Sequence, residues 1–447
     1  MKRLIFPILL LNVLLLQAQP FEKSFPYFNE AYGDLVFVHE HGYTLAGLGL
    51  SNGQYFLYLI HTDLNGDTLW TRHLDYGVKS LGLVRAITDN EDNHYISFFY
   101  ADSAGLVKFT TDWQEVWRKK FDDLPRIYQL CLDSENKLLL SASGESTCLM
   151  KLDNDGSLIW QSAPIGSNSR TNATAITETE SGNIALFTHS LGDFGYTFPN
   201  NRISIYSATG ALIDSGNVSP DQVYSYGVFC SRQYDNHLLS VCNNGRGINY
   251  LVHHEENGTI LQQKEITLPV TNPEIYCYIF NSAGGVTTVG TGDINKLFFH
   301  GMSISGDSLW TNIRSYSESN IPFSLALCAD GGYLLSGGIE INGFNQPYLI
   351  KTDPWGGNSP LHTASPELSD GFLNVYPNPA SEYVVFESTT IINGTILILD
   401  IYGRSVAQIS VTGKKAIWST RGVKPGVYLY HLRSEQISNS GKLVIAR

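Results

Sequence analysis

The chain has 447 residues, 43% of them apolar and only 16% charged, which suffices for two or three domains and excludes a disordered chain. The net charge of −13 is spread along the sequence, so neither nucleic acid nor an anionic membrane is an expected partner. Its 41 glycines and 25 tyrosines predict short strands joined by tight turns.

The first element is a leader. Lys2 and Arg3 precede an apolar run from Leu4 to Leu16, and Gln17-Ala18-Gln19 follows it. That is the pattern of a secretory signal peptide, residues 1–18, with cleavage expected after Ala18. The run is too short to span a bilayer, and no later run is longer, so no transmembrane segment is expected. Export permits disulfides. Cys131, Cys148, Cys230, Cys242, Cys277 and Cys328 form no CxxC array, so zinc and redox motifs are not expected. Cys230 and Cys242 flank a predicted hairpin turn and could be neighbours, but buried free thiols are the expected state of the set.

Residues 19–361 repeat. An apolar strand, an Asp, a glycine turn, an apolar pair and Trp recur as LIHTDLNGDTLW (59–70), VKFTTDWQEVW (107–117), MKLDNDGSLIW (150–160) and FHGMSISGDSLW (299–310). Degenerate copies put the same position at 214, 262 and 360, a mean period of about 48. A turn dipeptide followed by β-rich residues precedes each copy, as in DNHYISFF (92–99) and DGGYLLSG (330–337). Four strands per repeat, seven repeats over, predict an all-β fold: a seven-bladed β-propeller. Trp70, Trp117, Trp160 and Trp310 are expected to fill the gaps between blades. The Gly156-to-Trp160 spacing resembles the quinoprotein-type repeat without its Thr-Gly pair, and transfers no cofactor or catalytic residue.

The seventh repeat has no fourth strand, because NSPLHTASPELS follows its glycine turn. The start of the mature chain has one to spare: Phe21 lies one period before Trp70, so Phe21 to Phe25 is expected to pair with the strand around Tyr348 to Thr352 and close the last blade.

After a linker, 362–370, the pattern changes. Residues 371–447 contain Tyr376-Pro377-Asn378-Pro379, the turn Asp400-Ile401-Tyr402-Gly403-Arg404, Pro425-Gly426-Val427-Tyr428 and Gly441-Lys442-Leu443-Val444. Alternating strands around these turns predict a small Ig-like β-sandwich. The segment resembles the type A C-terminal sorting domain of type IX secretion system cargo, carried on Pro377, Asn378, Pro379, Gly403, Gly426, Tyr428 and Lys442. The resemblance implies a secreted or cell-surface protein, moved through the periplasm and across the outer membrane. It implies the type IX machinery as partner, and removal of the domain after transit. The body would then be soluble or attached to surface lipopolysaccharide.

No P-loop, HExxH or GxSxG motif is present, so no catalytic residue, metal site or cofactor is assigned. His39/His41 and His253-His254 read as polar strand positions, and Asp153-Asn154-Asp155-Gly156 as a turn, since Pro164 stands where a calcium loop needs Glu. Arg118-Lys119-Lys120 reads as a solvated strand edge. The expected binding face is that of the longer inter-strand loops. Asp193 and Tyr196 in the long loop of the fourth repeat, Tyr224 and Tyr226 beside it, and Arg246 in the next repeat are the candidate ligand residues. The leading reading is a non-enzymatic propeller that binds a glycan or protein. A secreted polysaccharide hydrolase or lyase and a structural adhesion module are the alternatives.

Overall fold

The structure, a computed structural model, describes residues 19–446 except 79–84, 101, 125, 144–146, 166–170, 191–199, 218–227, 235–236, 244–247, 281–284, 294, 358–372, 401–404 and 435–437. The leader and the linker therefore lie outside the described residues. Every described element is a strand. Seven separate antiparallel sheets cover 30–74, 85–121, 126–161, 171–217, 228–266, 274–315 and 320–351, here numbered sheets 1 to 7. In sheets 2 to 6 four strands follow one another in chain order; sheet 3, for example, runs Arg126–Leu132, Leu138–Ser143, Thr147–Leu152 and Leu158–Gln161.

Local chemistry explains the repeat. The glycine that follows the third strand takes a positive φ at Gly66, Gly156, Gly210, Gly258, Gly306 and Gly356, where an L side chain is strained. In sheet 2 the same position is Trp113, at φ 61. Asp89 and Asp133 organise the first turn of sheets 2 and 3. Asp89 Oδ1 accepts the N–H groups of Glu91 and Asn93, and Asp133 Oδ1 those of Glu135 and Lys137. Each carboxylate also holds a buried lysine from the third strand, Lys108 at 3.4 Å and Lys151 at 2.5 Å.

The recurring tryptophans reach the next sheet. Trp117 Nε1 donates to the Asn154 carbonyl and Trp160 Nε1 to that of Ala208, both at 2.9 Å. The Trp117 ring lies over Gly156, that of Trp160 over Gly210 and that of Trp310 against Gly356. These rings are half-buried, not fully enclosed, because each sits on the outermost strand of its sheet. In three sheets a basic side chain two residues after this position makes a second contact. Arg72 donates to the Trp113 carbonyl, Lys119 to that of Gly156, and Lys264 pairs with Asp307. Sheets 4 and 5 share a core containing Phe187, Ile203, Leu238 and Val252.

Sheet 7 takes strands from both ends of this region. Phe21–Ser24 pairs antiparallel with Phe344–Lys351, placing Phe21 opposite Lys351 and Ser24 opposite Tyr348. The Phe21 ring covers Gly66 of sheet 1, and Lys23 pairs with Asp67 at 2.8 Å. Phe21 and Lys23 thus stand where Trp and the basic residue stand in the other copies. Each sheet touches the next, and the seventh touches the first.

Cys131, Cys148, Cys242, Cys277 and Cys328 are free thiols, as expected of the set. One expectation is corrected. His39 ends one strand and Gly42 starts the next, so exposed His41 is in the turn and does not share a strand face with His39. The Arg118-Lys119-Lys120 cluster lies on the outermost strand of sheet 2, as expected, with Arg118 over the Tyr76 ring, Lys119 on the Gly156 carbonyl and Lys120 on Asp122.

The last sheet comprises Leu373–Tyr376, Tyr383–Asp400, Ser405–Ser419, Gly426–Ser434 and Ser438–Ile445. Its five strands are one connected sheet, because the long strand Tyr383–Asp400 pairs with three others. Its own core contains Val384, Phe386, Ile396, Ile398, Leu432 and Leu443.

Candidate functional site

The first strands of sheets 2 to 5 pack side by side in succession, and so do those of sheets 6, 7 and 1. Five of the seven carry the same irregularity. One extra residue interrupts pairing with the second strand at Tyr128, Thr174, Phe229, Tyr276 and Phe323. In sheet 1 the first strand is broken at the matching place, between Glu30–Ala31 and Leu35–His39, by Tyr32-Gly33-Asp34. A bulge leaves its extra residue outside the ladder and re-aims its side chain. Here that residue is aromatic in four sheets out of five; in sheet 4 it is Thr174.

Tyr128 and Phe323 are half-buried and Tyr276 is exposed. Tyr32 meets Phe323 edge-on, centroids 5.6 Å apart, and its hydroxyl accepts the Asn345 amide at 2.8 Å. The Tyr276 hydroxyl donates to Glu274 at 2.6 Å; burial and that carboxylate push it up to about 12. All the bulges lie near the start of their strands, at the end reached from the preceding sheet.

Arg85 and Asp34 lie among these strands. Arg85 Nε donates to the Tyr128 carbonyl at 3.0 Å, from sheet 2 to sheet 3. Its charge also acts on Asp34 of sheet 1 and Cys277 of sheet 6. The guanidinium thus touches the backbone of sheet 3 and lies within electrostatic reach of side chains of sheets 1 and 6. Burial pushes the Asp34 carboxyl up to about 8, although the Leu48 N–H and Arg85 pull the other way.

The sequence candidates Asp193, Tyr196, Tyr224, Tyr226 and Arg246 all lie outside the described residues. The bulged aromatics escaped sequence reading because a one-residue bulge leaves no mark in a pattern that tolerates loops of varying length. An aromatic two to four residues into the first strand is the signal that was there.

A second cluster lies between sheets 1 and 2. Thr44 Oγ1 bridges His39 Nε2 and His61 Nδ1, at 2.9 Å each. The His39 ring lies 5.4 Å from that of His94, which stacks on Trp113 at 4.4 Å. Burial lowers all three, His39 to about 4 and His94 to about 3. They pack between the two sheets, where burial disfavours the charged form. Among the described residues no group of three His, Cys, Asp or Glu is arranged to hold a metal.

In the C-terminal sheet Asn378 and the strand of Lys442 are brought together. Asn378 Nδ2 donates to the Lys442 carbonyl at 2.9 Å, and Asn378 Oδ1 accepts the Val444 N–H at 2.8 Å. Pro377 and Pro379 flank that contact, both after cis bonds. Tyr428, next but one to Gly426, donates its hydroxyl to the Lys424 carbonyl. Gly403 lies outside the described residues.

Residues 374–446 match the family described as secretion system C-terminal sorting domain. No curated protein matches the chain. Among solved structures it is similar to PorZ, an essential bacterial surface component of the type IX secretion system of Porphyromonas gingivalis. That match has 14% identity and a TM-score of 0.47, over 94% of this chain and 59% of PorZ. A protein of unknown function from Bacteroides caccae gives 14% identity and a TM-score of 0.42, over 64% of this chain and 94% of the other. The extracellular domain of a hybrid two-component system from B. thetaiotaomicron gives 10% identity and a TM-score of 0.50, over 95% of this chain and 57% of that one. The last likeness concerns the fold alone. The chain spans under two thirds of the length of the first and third of these structures. It carries a C-terminal sorting domain and is a secreted or cell-surface protein of the type IX secretion route.

Proposed function

We propose that this exported chain is a binding protein built as a closed seven-bladed β-propeller, residues 19–361, followed by the sorting domain folded as a small sandwich. The succession of sheet contacts supports the closed ring: the same aromatic and basic contacts recur from sheet to sheet and once more from Phe21 and Lys23 to sheet 1. The ligand is a glycan or a protein, held where the first strands converge. The observation that carries this is the repeated bulge with its aromatic residue. Tyr and Phe faces offer large rigid contact area to a sugar ring or an apolar side chain. The candidate loop residues Asp193, Tyr196, Tyr224, Tyr226 and Arg246 would extend that surface. The sorting domain engages the type IX machinery, and the body after transit is soluble or held on lipopolysaccharide.

The test is a glycan array and a surface-protein pull-down with the purified mature chain, with product analysis on any glycan hit. Binding that falls at least about tenfold in Tyr276→Ala and in Phe323→Ala, with the melting temperature retained, supports the reading. Binding untouched by both substitutions overturns the location, and turnover of a bound glycan overturns the non-enzymatic assignment.

A further inference from the structure

We propose that the outer edge of Phe344–Lys351 is a sequence-selective binding site for an extended peptide of the pattern aromatic–acidic–basic, which the chain's own N-terminus occupies. Two kinds of recognition meet there. The backbone of Phe21–Ser24 adds a strand to sheet 7, in register from Phe21–Lys351 to Ser24–Tyr348, and the Phe25 N–H donates to the Pro347 carbonyl at 2.9 Å. Main-chain pairing of this kind supplies affinity, and pockets for alternate side chains supply selectivity.

Each side chain has its own receptor. Phe21 fills the space over Gly66, where a Cβ would collide with its ring, and lies 5.8 Å from Tyr43. Glu22 accepts from Arg314 and from the Tyr316 hydroxyl, both at 2.5 Å, on the sheet 6 side. Lys23 turns the other way, to Asp67 of sheet 1. Phe25 is buried against sheets 1 and 7. The occupant thus bridges sheets 6, 7 and 1, and three receptors of different chemistry read three consecutive residues.

Nothing in these contacts requires the occupant to be covalently joined. A short tether contributes effective concentration, of millimolar order for a short flexible linker, and no contact. A peptide of the same pattern therefore fits the same edge once the resident strand has left.

The test uses the full mature chain with a specific protease site inserted between exposed Pro26 and Tyr27, cut after folding. The probe is a labelled peptide of residues 19–26. We expect the cut fragment either to stay bound through gel filtration or to exchange with the labelled peptide saturably. We expect the Phe21→Ala peptide to compete at least about tenfold less well. A Glu22→Arg peptide should lose affinity for the parent and regain it on an Arg314→Glu acceptor. A fragment that leaves with no peptide rebinding overturns the site. Equal competition by the parent and Phe21→Ala peptides overturns its selectivity.

Discussion

The ring of Trp160 lies across Gly210 of the next sheet, so closely that a Cβ at residue 210 would stand 2.6 Å from Cε3 of the indole. Gly210 is also at φ 84. Gly210→Ala should therefore destabilise the body twice over, by strain and by displacing the ring, at roughly 1–3 kcal/mol. Trp160→Ala should cost about 2–3 kcal/mol, below the figure for a fully enclosed tryptophan because the ring is half-buried. The double variant should be less destabilised than the sum, since removing the ring removes the clash. Urea unfolding of all four proteins checks this; strict additivity would mean that ring and turn are not in contact.

Asp34 predicts a pH dependence of definite sign. Its folded value is raised to about 8, while the unfolded carboxyl ionises at the ordinary value near 3.8. Between these values the unfolded chain has lost a proton that the folded chain retains, so stability falls as pH rises and levels off above about 8. Asp34→Asn keeps an acceptor for the Leu48 N–H and carries no charge. Its stability relative to the parent should grow between pH 4 and 8, and parallel pH profiles for the two proteins would refute the assignment.

The buried histidines act in the opposite sense. Burial lowers His39, His254 and His300 to about 4 and His94 to about 3, from an ordinary value of 6.5. Their contribution is complete above pH 6.5 and is lost as pH falls through 4 and then 3. His94→Phe, which can stack on Trp113 as the imidazole does, should flatten the acid limb of the stability profile. Calorimetry from pH 7 to 4 should show this as fewer protons taken up on unfolding.

The sorting domain predicts a location. Deleting 371–447 should leave a folded body in the periplasm, since the segment matched as a sorting domain is gone. Cell fractionation checks this. Wild-type amounts on the surface or in the medium would show that the address lies elsewhere.

Much of this architecture was legible because its signals are local. A glycine that must take positive φ and a Trp four residues on recur visibly, as at Gly156 and Trp160, and the spacing from Phe21 to Trp70 exposed the N-terminal strand. The Asp turns were less visible, because Asp89 and Asp133 show their role only when Lys108 and Lys151 arrive from the third strand. The basic residue two places after this position in four of the copies, Arg72, Lys119, Lys264 and Lys23, carries no sequence mark of its role because its partner lies in a different sheet. The electrostatic influence of Arg85 on Asp34 and Cys277 was beyond reach for the same reason: three positions far apart in sequence come within range of one another only through the packing of first strands.

The pairing of Phe21–Ser24 with Phe344–Lys351 also sets a timetable. The strand nearest the start of the body has its partner near the far end, with six sheets of shorter-range hairpins between them. Contacts between such distant positions close slowly, because the entropy of bringing the ends together is lost before any pairing offsets it. A chain missing this pairing would keep an exposed seam beside Phe344–Lys351. Completion of the seam marks the moment at which the body, all of it, has arrived.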